Sequence, residues 1–493
     1  MKLVGMAAAL AVVCAAPRAY AWEPETTQAG LAEQAALASR LHRRLVMLGF
    51  DGGLFEPLTI PPADAQALLA ALKLLSPTHG SVPDARGRQT ALAWLAAGAA
   101  IADIPASHGA NHFYDPSTRR GWMAPSRTLV AALTNAVRQA VGRSPLPPRG
   151  IPAPDWVVAK DNPFNVDAFY AQYAKAVSAA TPGERSRHMA AALVAAGATL
   201  HALGDLGAPS RVRGDEAAHL EFLGGGPDDL GSRFERLAAL SFGRLGVPAP
   251  SRLVTRTHLR EFFTAVGTAV GTAGGHAPEP SAGSVMPPPV VAGTPLPGEG
   301  LADLIARSYF SAGTLPRSAR IAQGEVPALV RPAPAVPSKL ALVAASHDEG
   351  VVLRNAAEVC LARYAVEAGV LTFTTDDACM LEQITAILPE VAAFETGLLE
   401  FLLRGELTVT IADGITVAGA GLATGELTVV VEDTRGVRTV LGTMATPAAG
   451  ATGATLATLA RPTAGVTVYA VYRGTDAAGE PIVAVGAAPI PHE

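Results

Sequence analysis

The spacing of apolar residues changes along the chain, and this change constrains the fold more than any other feature of the sequence. Between residues 22 and 275, apolar residues recur every three or four positions, which is the period of an amphipathic helix. After Gly405 they alternate with small or polar residues, which is the period of a strand. We therefore predict helices over 28–48, 64–75, 89–101, 127–141, 166–179, 185–206 and 230–245, and strands over 407–411, 427–431 and 466–472.

This pattern predicts a mainly α protein, with a multi-helix bundle over 22–405 and a small C-terminal antiparallel β-sandwich over 406–493. The Pro-rich stretches 277–298 and 331–337 are expected to be exposed loops. A helical period returns over 355–368 and 379–403. Pro389 lies inside the second of these segments, where it predicts a break or a new helix start.

The N-terminus has the features of an export signal. Lys2 provides the positive charge, residues 4–16 form a short apolar core, and residues 19–21 are a small-x-small cleavage site. Cleavage between Ala21 and Trp22 predicts a secreted or periplasmic protein. No later stretch is expected to be long and apolar enough to span a membrane.

The charge balance argues against one class of partner. Loss of Lys2 and Arg18 reduces the 38 basic residues to 36, against 43 acidic ones, so the net charge moves from −5 to −7. Avid nucleic-acid binding usually requires a basic surface that neutralises phosphates. We therefore expect no avid binding to nucleic acid.

Two cysteines, Cys360 and Cys379, remain after removal of the predicted leader, which contains Cys14. An even pair in an oxidising compartment suggests one disulfide bond. The alternative is a pair of buried free thiols.

Three pieces of sequence carry side chains suited to metal binding. His201 and Asp205 are four residues apart, so they project from one helix face and can reach one cation. His112 lies in the run Asn111-His112-Phe113-Tyr114-Asp115-Pro116, and Asp103 precedes it. Trp22 would carry a free α-amino group after cleavage, and an amine with its own carbonyl oxygen can chelate a metal. Each piece alone also fits an ordinary structural contact.

Together these motifs resemble the superfamily of zinc-dependent phospholipases C and single-strand-specific zinc nucleases. Its members begin with Trp and carry a His-Phe-Tyr-Asp-Pro motif, followed by His-x-Leu-Gly-Asp and Pro-x-His. The chain has Trp22, the motif at 112–116 and His-Ala-Leu-Gly-Asp at 201–205. The resemblance covers about 22–275 and continues loosely to about 405. It implies a phospholipase C-like helical bundle that holds up to three zinc ions.

The resemblance also assigns roles to individual residues. One zinc ion would be held by His112, His201 and Asp205, with Asp103 nearby as a base or supporting carboxylate. Asp205 would bridge to a second zinc ion, held by the Trp22 amine and carbonyl and by a histidine of the first helix. The third zinc ion would bind two histidines and Glu235.

Three positions depart from the family pattern: Gln28 stands for the first-helix His, Arg211 for the His after Pro209, and Gly231 for the His before Glu235. Gln is a weak zinc ligand, Gly has no side chain, and the fixed charge of Arg repels a cation. Arg211 could instead bind a substrate phosphate bidentately. A shifted alignment would offer His219 or His42 in place of the missing ligands.

The resemblance implies a secreted zinc phosphodiesterase of phospholipase C type. A single zinc ion at His112, His201 and Asp205 would lower the pKa of a bound water to about 7. Its substrate would be a phospholipid or another phosphodiester, with peripheral membrane contact through the C-terminal domain. The alternatives are a catalytically degenerate binding protein, favoured by the three departures, and a single-strand nuclease.

Two acidic features are expected to be structural. Asp376 and Asp377 fit a charge pair at a helix N-terminus. Asp413-Gly414 and residues 476–479 fit hairpin turns better than calcium loops.

Overall fold

The computed structural model describes residues 24–59, 88–105, 107–123, 136, 149–219, 232–265, 298–316, 319–320, 351–355, 357–446, 450, 453–462 and 465–491. The predicted leader 1–21, Trp22 and Gly231 lie outside these residues. So do the predicted helix 64–75, the stretch 331–337, nearly all of the predicted helix 127–141, and nearly all of 277–298.

The N-terminal part of the chain is built from helices joined by short turns. Its helices are α1 (Ala29–Ala38), α2 (Leu41–Met47), α3 (Ala91–Ile101), α4 (Ala153–Trp156), α5 (Val166–Ser178), α6 (Pro182–Gly204), α7 (Pro209–Val212), α8 (Arg233–Phe242), α9 (Arg260–Phe263) and α10 (Leu301–Ser308). A further long helix, α11 (Asp377–Leu402), follows later. The predicted helix 28–48 is divided into α1 and α2, because the backbone of Ser39 is extended.

Helix α6 is the centre of this body. Thr181 and Glu184 cap its N-terminus reciprocally, which satisfies two backbone N–H groups of the first turn. Helices α3, α5 and α11 pack around it. The segment Pro182–Gly207 is long and apolar enough to cross a membrane by composition, contrary to our expectation, and 94% of its most apolar window is buried in the protein. Its apolar character therefore serves a core helix.

Helices α3 and α6 approach each other at backbone distance. A Cβ on Gly98 would lie 2.1 Å from the carbonyl oxygen of Val194, and a Cβ on Gly197 would lie 2.0 Å from that of Leu95. Only glycine fits at either position. The close approach fixes the end of α3 against the end of α6, where the predicted site residues lie.

The strands are more numerous than the sequence predicted. They are β1 (Pro57–Thr59), β2 (Arg88–Thr90), β3 (Ala319–Arg320), β4 (Val351–Arg354), β5 (Cys360–Glu367), β6 (Val370–Thr374), β7 (Gly405–Ile411), β8 (Gly414–Gly419), β9 (Leu422–Glu432), β10 (Arg438–Thr446), β11 (Ala454–Ala460), β12 (Thr467–Asp476) and β13 (Pro481–Pro489). Strands β1 and β2 form an antiparallel pair, and β3, β6, β5 and β4 form a four-stranded sheet in that order.

The expectation of a mainly α protein with a small β-sandwich is wrong. Helices account for 43% and strands for 26% of the described residues, and the C-terminal strands form one seven-stranded, nearly closed, barrel-like sheet. Its strand order is β10-β9-β12-β13-β7-β8-β11. The parallel pairing of β7 with β13 and the register shifts within β10, β11 and β12 curl this sheet.

Strand β12 shows why the sheet does not stand apart from the helices. Val468, Ala470 and Tyr472 point into the core of the barrel-like sheet. Tyr469 and Val471, on the other face of the strand, belong to the core of the helical body. Because the strand is buried on both faces, its sequence reads as an almost continuous apolar run.

The segment 355–368, predicted as a helix, contains strand β5 instead. It pairs with β6 through a two-residue turn in which Ala368 and Gly369 have φ of 49° and 74°. Two positive φ values match the twist of a tight hairpin. Cys360 of β5 forms a disulfide with Cys379 of α11, which secures this sheet to the helical body.

Helix α11 continues through Pro389 without the predicted break. The proline removes one backbone hydrogen bond, but apolar residues before and after it are buried on the same side of the helix. Burial of Ile384, Leu388 and Val391 against the body outweighs that loss.

The acidic pairs have the predicted structural roles. Asp376 caps α11 by accepting from the Cys379 N–H at 2.8 Å, and Asp377 pairs with Arg233 at 2.8 Å. Asp413 lies in the turn between β7 and β8. The Asp476 carboxylate accepts from Ala478 N and Glu480 N, both at 2.9 Å, which closes the β12–β13 turn.

The helix contact gives a direct test of the packing. We expect Gly98→Ala to lower the free energy of unfolding by about 1–3 kcal/mol, because the added methyl group forces α3 away from α6. Gly183→Ala, in the exposed first turn of α6, is the matched control, since only the flexible end of Arg187 lies near its Cβ. Denaturant unfolding measures both variants. Equal stability of the two would contradict the close backbone packing.

Candidate metal site

Four side chains from three parts of the chain meet at the end of α6. Asp103 follows α3, His112 follows a 3-10 turn over Gly109–Asn111, and His201 and Asp205 lie at the C-terminal end of α6. One ligand atom from each of the four residues lies within 4.8 Å of the others. Two imidazoles and two carboxylates at this spacing can hold a metal ion.

Each imidazole of the cluster has a nitrogen close to an oxygen of both carboxylates. His112 Nδ1 lies 3.0 Å from Asp103 Oδ1 and 3.0 Å from Asp205 Oδ2. His201 Nε2 lies 3.2 Å from Asp205 Oδ2 and 3.4 Å from Asp103 Oδ2. Both imidazoles therefore face both carboxylates, around one common point.

The backbone of α3 orients His201. His201 Nδ1 lies 2.6 Å from the carbonyl oxygen of Ala99, so Nδ1 donates there and Nε2 is left to face the carboxylates. A second hydrogen bond of this kind is typical of metal-binding histidines, because it fixes both the tautomer and the ring orientation. The Gly98–Val194 contact places Ala99 within this reach.

Burial and charge act together on the cluster. Burial alone would raise the pKa of Asp103, but His201 and His112 hold that pKa well below its ordinary range. Burial alone would lower the pKa of His201, but Asp205 and Asp103 hold it well above its ordinary range. Without a metal, the cluster is therefore an imidazolium–carboxylate assembly whose proton a cation must replace.

Asp205 is held from two further directions. Gln28, before α1, donates from Nε2 to Asp205 Oδ1 at 2.7 Å. Arg211 Nη1 lies 3.0 Å from Asp205 Oδ2. Burial would raise the pKa of Asp205, but Arg211 first and His201 second hold it far below the ordinary value. Asp205 is thus an ionised carboxylate that can only accept hydrogen bonds.

Arg211 forms a second buried ion pair with Glu235. Its Nε lies 2.6 Å from Glu235 Oε1, and both side chains are fully buried. Glu235 also accepts from the Ser232 N–H at 2.5 Å, so it caps α8 as well. The guanidinium carbon stacks 4.7 Å from the ring centre of Phe113. Arg211 is therefore a fixed cation between Asp205 and Glu235.

Some of the predicted site residues lie together in the cluster and others do not. The cluster contains Asp103, His112, His201 and Asp205. Glu235 lies outside it and pairs with Arg211. His219 Nδ1 lies 3.7 Å from Glu235 Oε2, close to that ion pair. His42 instead lies beside the Gly53 turn and takes no part in the cluster. Trp22 and Gly231 lie outside the described residues.

Sequence reasoning missed Glu395, which lies near the cluster on α11. It is fully buried, and it occupies a position of the apolar stripe formed by Ile384, Leu388, Val391 and Leu398. A lone acidic residue at a core position of a helix was the available signal, since such residues are rarely buried without a partner.

A cavity of about 230 Å³ lies beside the Arg211 side of the site. Phe113 and Arg211 contribute to its wall, together with Asp115, Arg120 and Glu216. Its lining therefore carries charges of both signs. Within the cluster itself, Asp103 has the most exposed side chain, at 14%.

Comparison of the chain with protein families, with curated proteins and with solved structures finds no match. The function is therefore inferred from the sequence motifs and from the geometry of the cluster.

Removal of one ligand tests the cluster as a metal site. We expect His201→Ala to abolish binding of Co²⁺ followed by its visible absorption, because the site loses one of its two imidazoles. His188→Ala is the matched control, since His188 lies on the same helix but bonds Gln172 at 2.7 Å, far along the chain from Asp205. Retained binding in His201→Ala would exclude this cluster as the site.

The raised pKa of His201 predicts how metal binding depends on pH. Because its imidazolium is favoured in the metal-free protein, binding has to release a proton. Apparent affinity should therefore rise from about pH 6 to about pH 8 and level off only above the raised pKa. Calorimetry in buffers of different ionisation enthalpy counts the released protons. An affinity that is constant over this range would contradict the assignment.

Proposed function

We propose that the protein is a secreted zinc-dependent phosphoric diester hydrolase of phospholipase C type. The observation that carries this proposal is the convergence of Asp103, His112, His201 and Asp205 around one point. Imidazole and carboxylate ligands in a largely buried site suit zinc. The disulfide between Cys360 and Cys379 is compatible with the predicted export.

The chain's own residues suit attack by water on a phosphodiester. A zinc ion held here would supply Lewis acidity towards a phosphoryl oxygen and make water more acidic. His112, His201 and Asp205 would hold it, and all three are buried. Asp103 has the most exposed side chain of the cluster, and His201 and His112 hold its pKa well below the ordinary range, so it is ionised and can orient the attacking water by accepting a hydrogen bond.

Arg211 has a different role from the phosphate clamp expected from the sequence. Its Nε and Nη1 are engaged by Glu235 and Asp205, and among the described residues only its Nη2 lacks a hydrogen-bond partner. Its charge replaces part of the positive charge that further metal ions supply in the family. We therefore propose one zinc ion rather than three.

A lipid substrate is favoured over a polynucleotide by charge. The mature chain would be acidic, whereas avid polynucleotide binding needs a basic surface. The cavity beside Arg211 is large enough for a small polar head group. Contact of the C-terminal unit with a membrane remains a prediction, and the barrel-like sheet removes the sandwich on which that analogy rested.

A second function, a binding protein that turns nothing over, has its own support. Gln28 contacts one oxygen of Asp205 and Arg211 contacts the other, so protein groups already satisfy the carboxylate that the resemblance expects to bridge to a second zinc ion. Loss of those ions could remove several kcal/mol of transition-state stabilisation. A metal site could then persist as a structural element.

Hydrolysis of a short-chain phosphatidylcholine by protein beginning at Trp22, with zinc supplied, separates these functions. We expect turnover in the wild type and in His188→Ala, and loss of at least about 10³-fold in His201→Ala. Single-stranded DNA should be cleaved far more slowly. Metal binding without hydrolysis of either substrate would instead support the binding protein, and preferential DNA cleavage would support a nuclease.

A further inference from the structure

Glu395 is an acidic side chain in the middle of the helical body. It is fully buried on α11, and neither carboxylate oxygen has a hydrogen-bond partner among the described residues. An isolated ionised carboxylate in such a place is strongly unfavourable, and it is either neutralised or paired. The residues around Glu395 indicate whether its carboxyl group is neutralised or paired.

The carboxyl group of Glu395 and the amide of Gln28 both approach the backbone of Gly204. Glu395 Oε1 lies 2.4 Å and Gln28 Oε1 lies 2.8 Å from the point where a Cβ on Gly204 would stand. The two oxygens therefore share one small space above Gly204. This glycine has helical backbone angles, so it is required for room and not for conformation.

The orientation of the Gln28 amide follows from Asp205. Because the Asp205 carboxylate pairs with the Arg211 guanidinium at 3.0 Å, it accepts hydrogen bonds, and the Gln28 group that faces it at 2.7 Å is the NH₂ group. The carbonyl oxygen Oε1 then lies at Gly204, in the same space as Glu395 Oε1, and it too lacks a hydrogen-bond partner among the described residues. Two acceptor oxygens this close to one backbone position are satisfied if one of them carries a proton, because a carboxylic acid can donate where a carboxylate cannot.

We propose that Glu395 is held as a neutral carboxylic acid that donates a hydrogen bond to Gln28 Oε1, so that Gln28 presents its NH₂ group to Asp205. Glu395 is then a positioning residue: it acts on the metal site through Gln28 and Asp205 and does not touch the metal. The inference rests on the metal site of the proposed function but not on hydrolysis.

The charges around Glu395 agree with a neutral acid. Burial is the largest influence and raises its pKa well above the ordinary range, and Asp205 raises it further. His201 acts in the opposite direction and does not compensate. Arg211, the fixed cation of the site, is already engaged by Asp205 and Glu235.

The alternative is an ionised Glu395 that binds a second cation together with Gln28 Oε1. A cation would satisfy both unpartnered oxygens, as a proton does. The two arrangements differ in the state of the carboxyl group and in the effect of an amide at this position. Both differences can be measured.

Infrared difference spectroscopy of the full mature protein reports the carboxyl group itself. We expect the wild type at neutral pH to show the C=O stretch of a protonated carboxylic acid that is absent from Glu395→Gln. Glu400→Gln, on the same helix but paired with Arg40, is the matched control and should leave that band in place. An ionised carboxylate signal that disappears with Glu395 would overturn the proposal.

Zinc affinity tests the positioning role. Glu395→Gln should bind zinc within a few-fold of the wild type, because its NH₂ group can also donate to Gln28 Oε1. Glu395→Met, which has no donor, should bind about 10–100-fold more weakly, as is typical when a supporting partner is lost. Thermal unfolding of both variants checks that they fold.

Two results would contradict the role of Glu395. One is unchanged zinc affinity in a folded Glu395→Met, and the other is a lower number of bound ions in Glu395→Gln. An inactive wild type with the expected infrared band and affinities would overturn only the hydrolase proposal. The two claims can therefore fail separately.

Discussion

The constraint on which the site depends is the balance of charge inside an apolar body. Four carboxyl groups lie in a region from which water is largely excluded, namely those of Asp103, Asp205, Glu235 and Glu395. Arg211 supplies one fixed positive charge, which pairs with two of these groups. A divalent ion among His112, His201, Asp103 and Asp205, and a proton on Glu395, would complete the balance.

The helices make this arrangement possible because they hold the groups at fixed distances. The close approach at Gly98 and Gly197 brings the end of α3 against α6, which places Ala99 where it can orient His201. Gly204 leaves room for Gln28 and Glu395 on the other side of Asp205. Small residues in apolar helices are therefore part of the site, although they carry no chemistry themselves.

The pair His201 and Asp205 could be predicted from the sequence because their spacing on one helix is a local property, whereas His112 and Asp103 were joined to that pair only by the family resemblance. The roles of Gln28 and Glu395 could not, since they depend on helices distant in sequence that meet at Gly204. The prediction of a mainly α fold was wrong for a related reason. Strands such as β8 and β11 are rich in Gly, Ala and Thr, and only their pairing in the barrel-like sheet stabilises them.

X-ray absorption spectroscopy of the mature protein after zinc binding tests the single-zinc site most directly. We predict about one zinc ion per chain, coordinated by two imidazole nitrogens and by oxygen, without a neighbouring metal ion. A second metal close to the first would contradict the role of Arg211 as the fixed cation of the site. A spectrum without imidazole ligands would contradict the cluster itself.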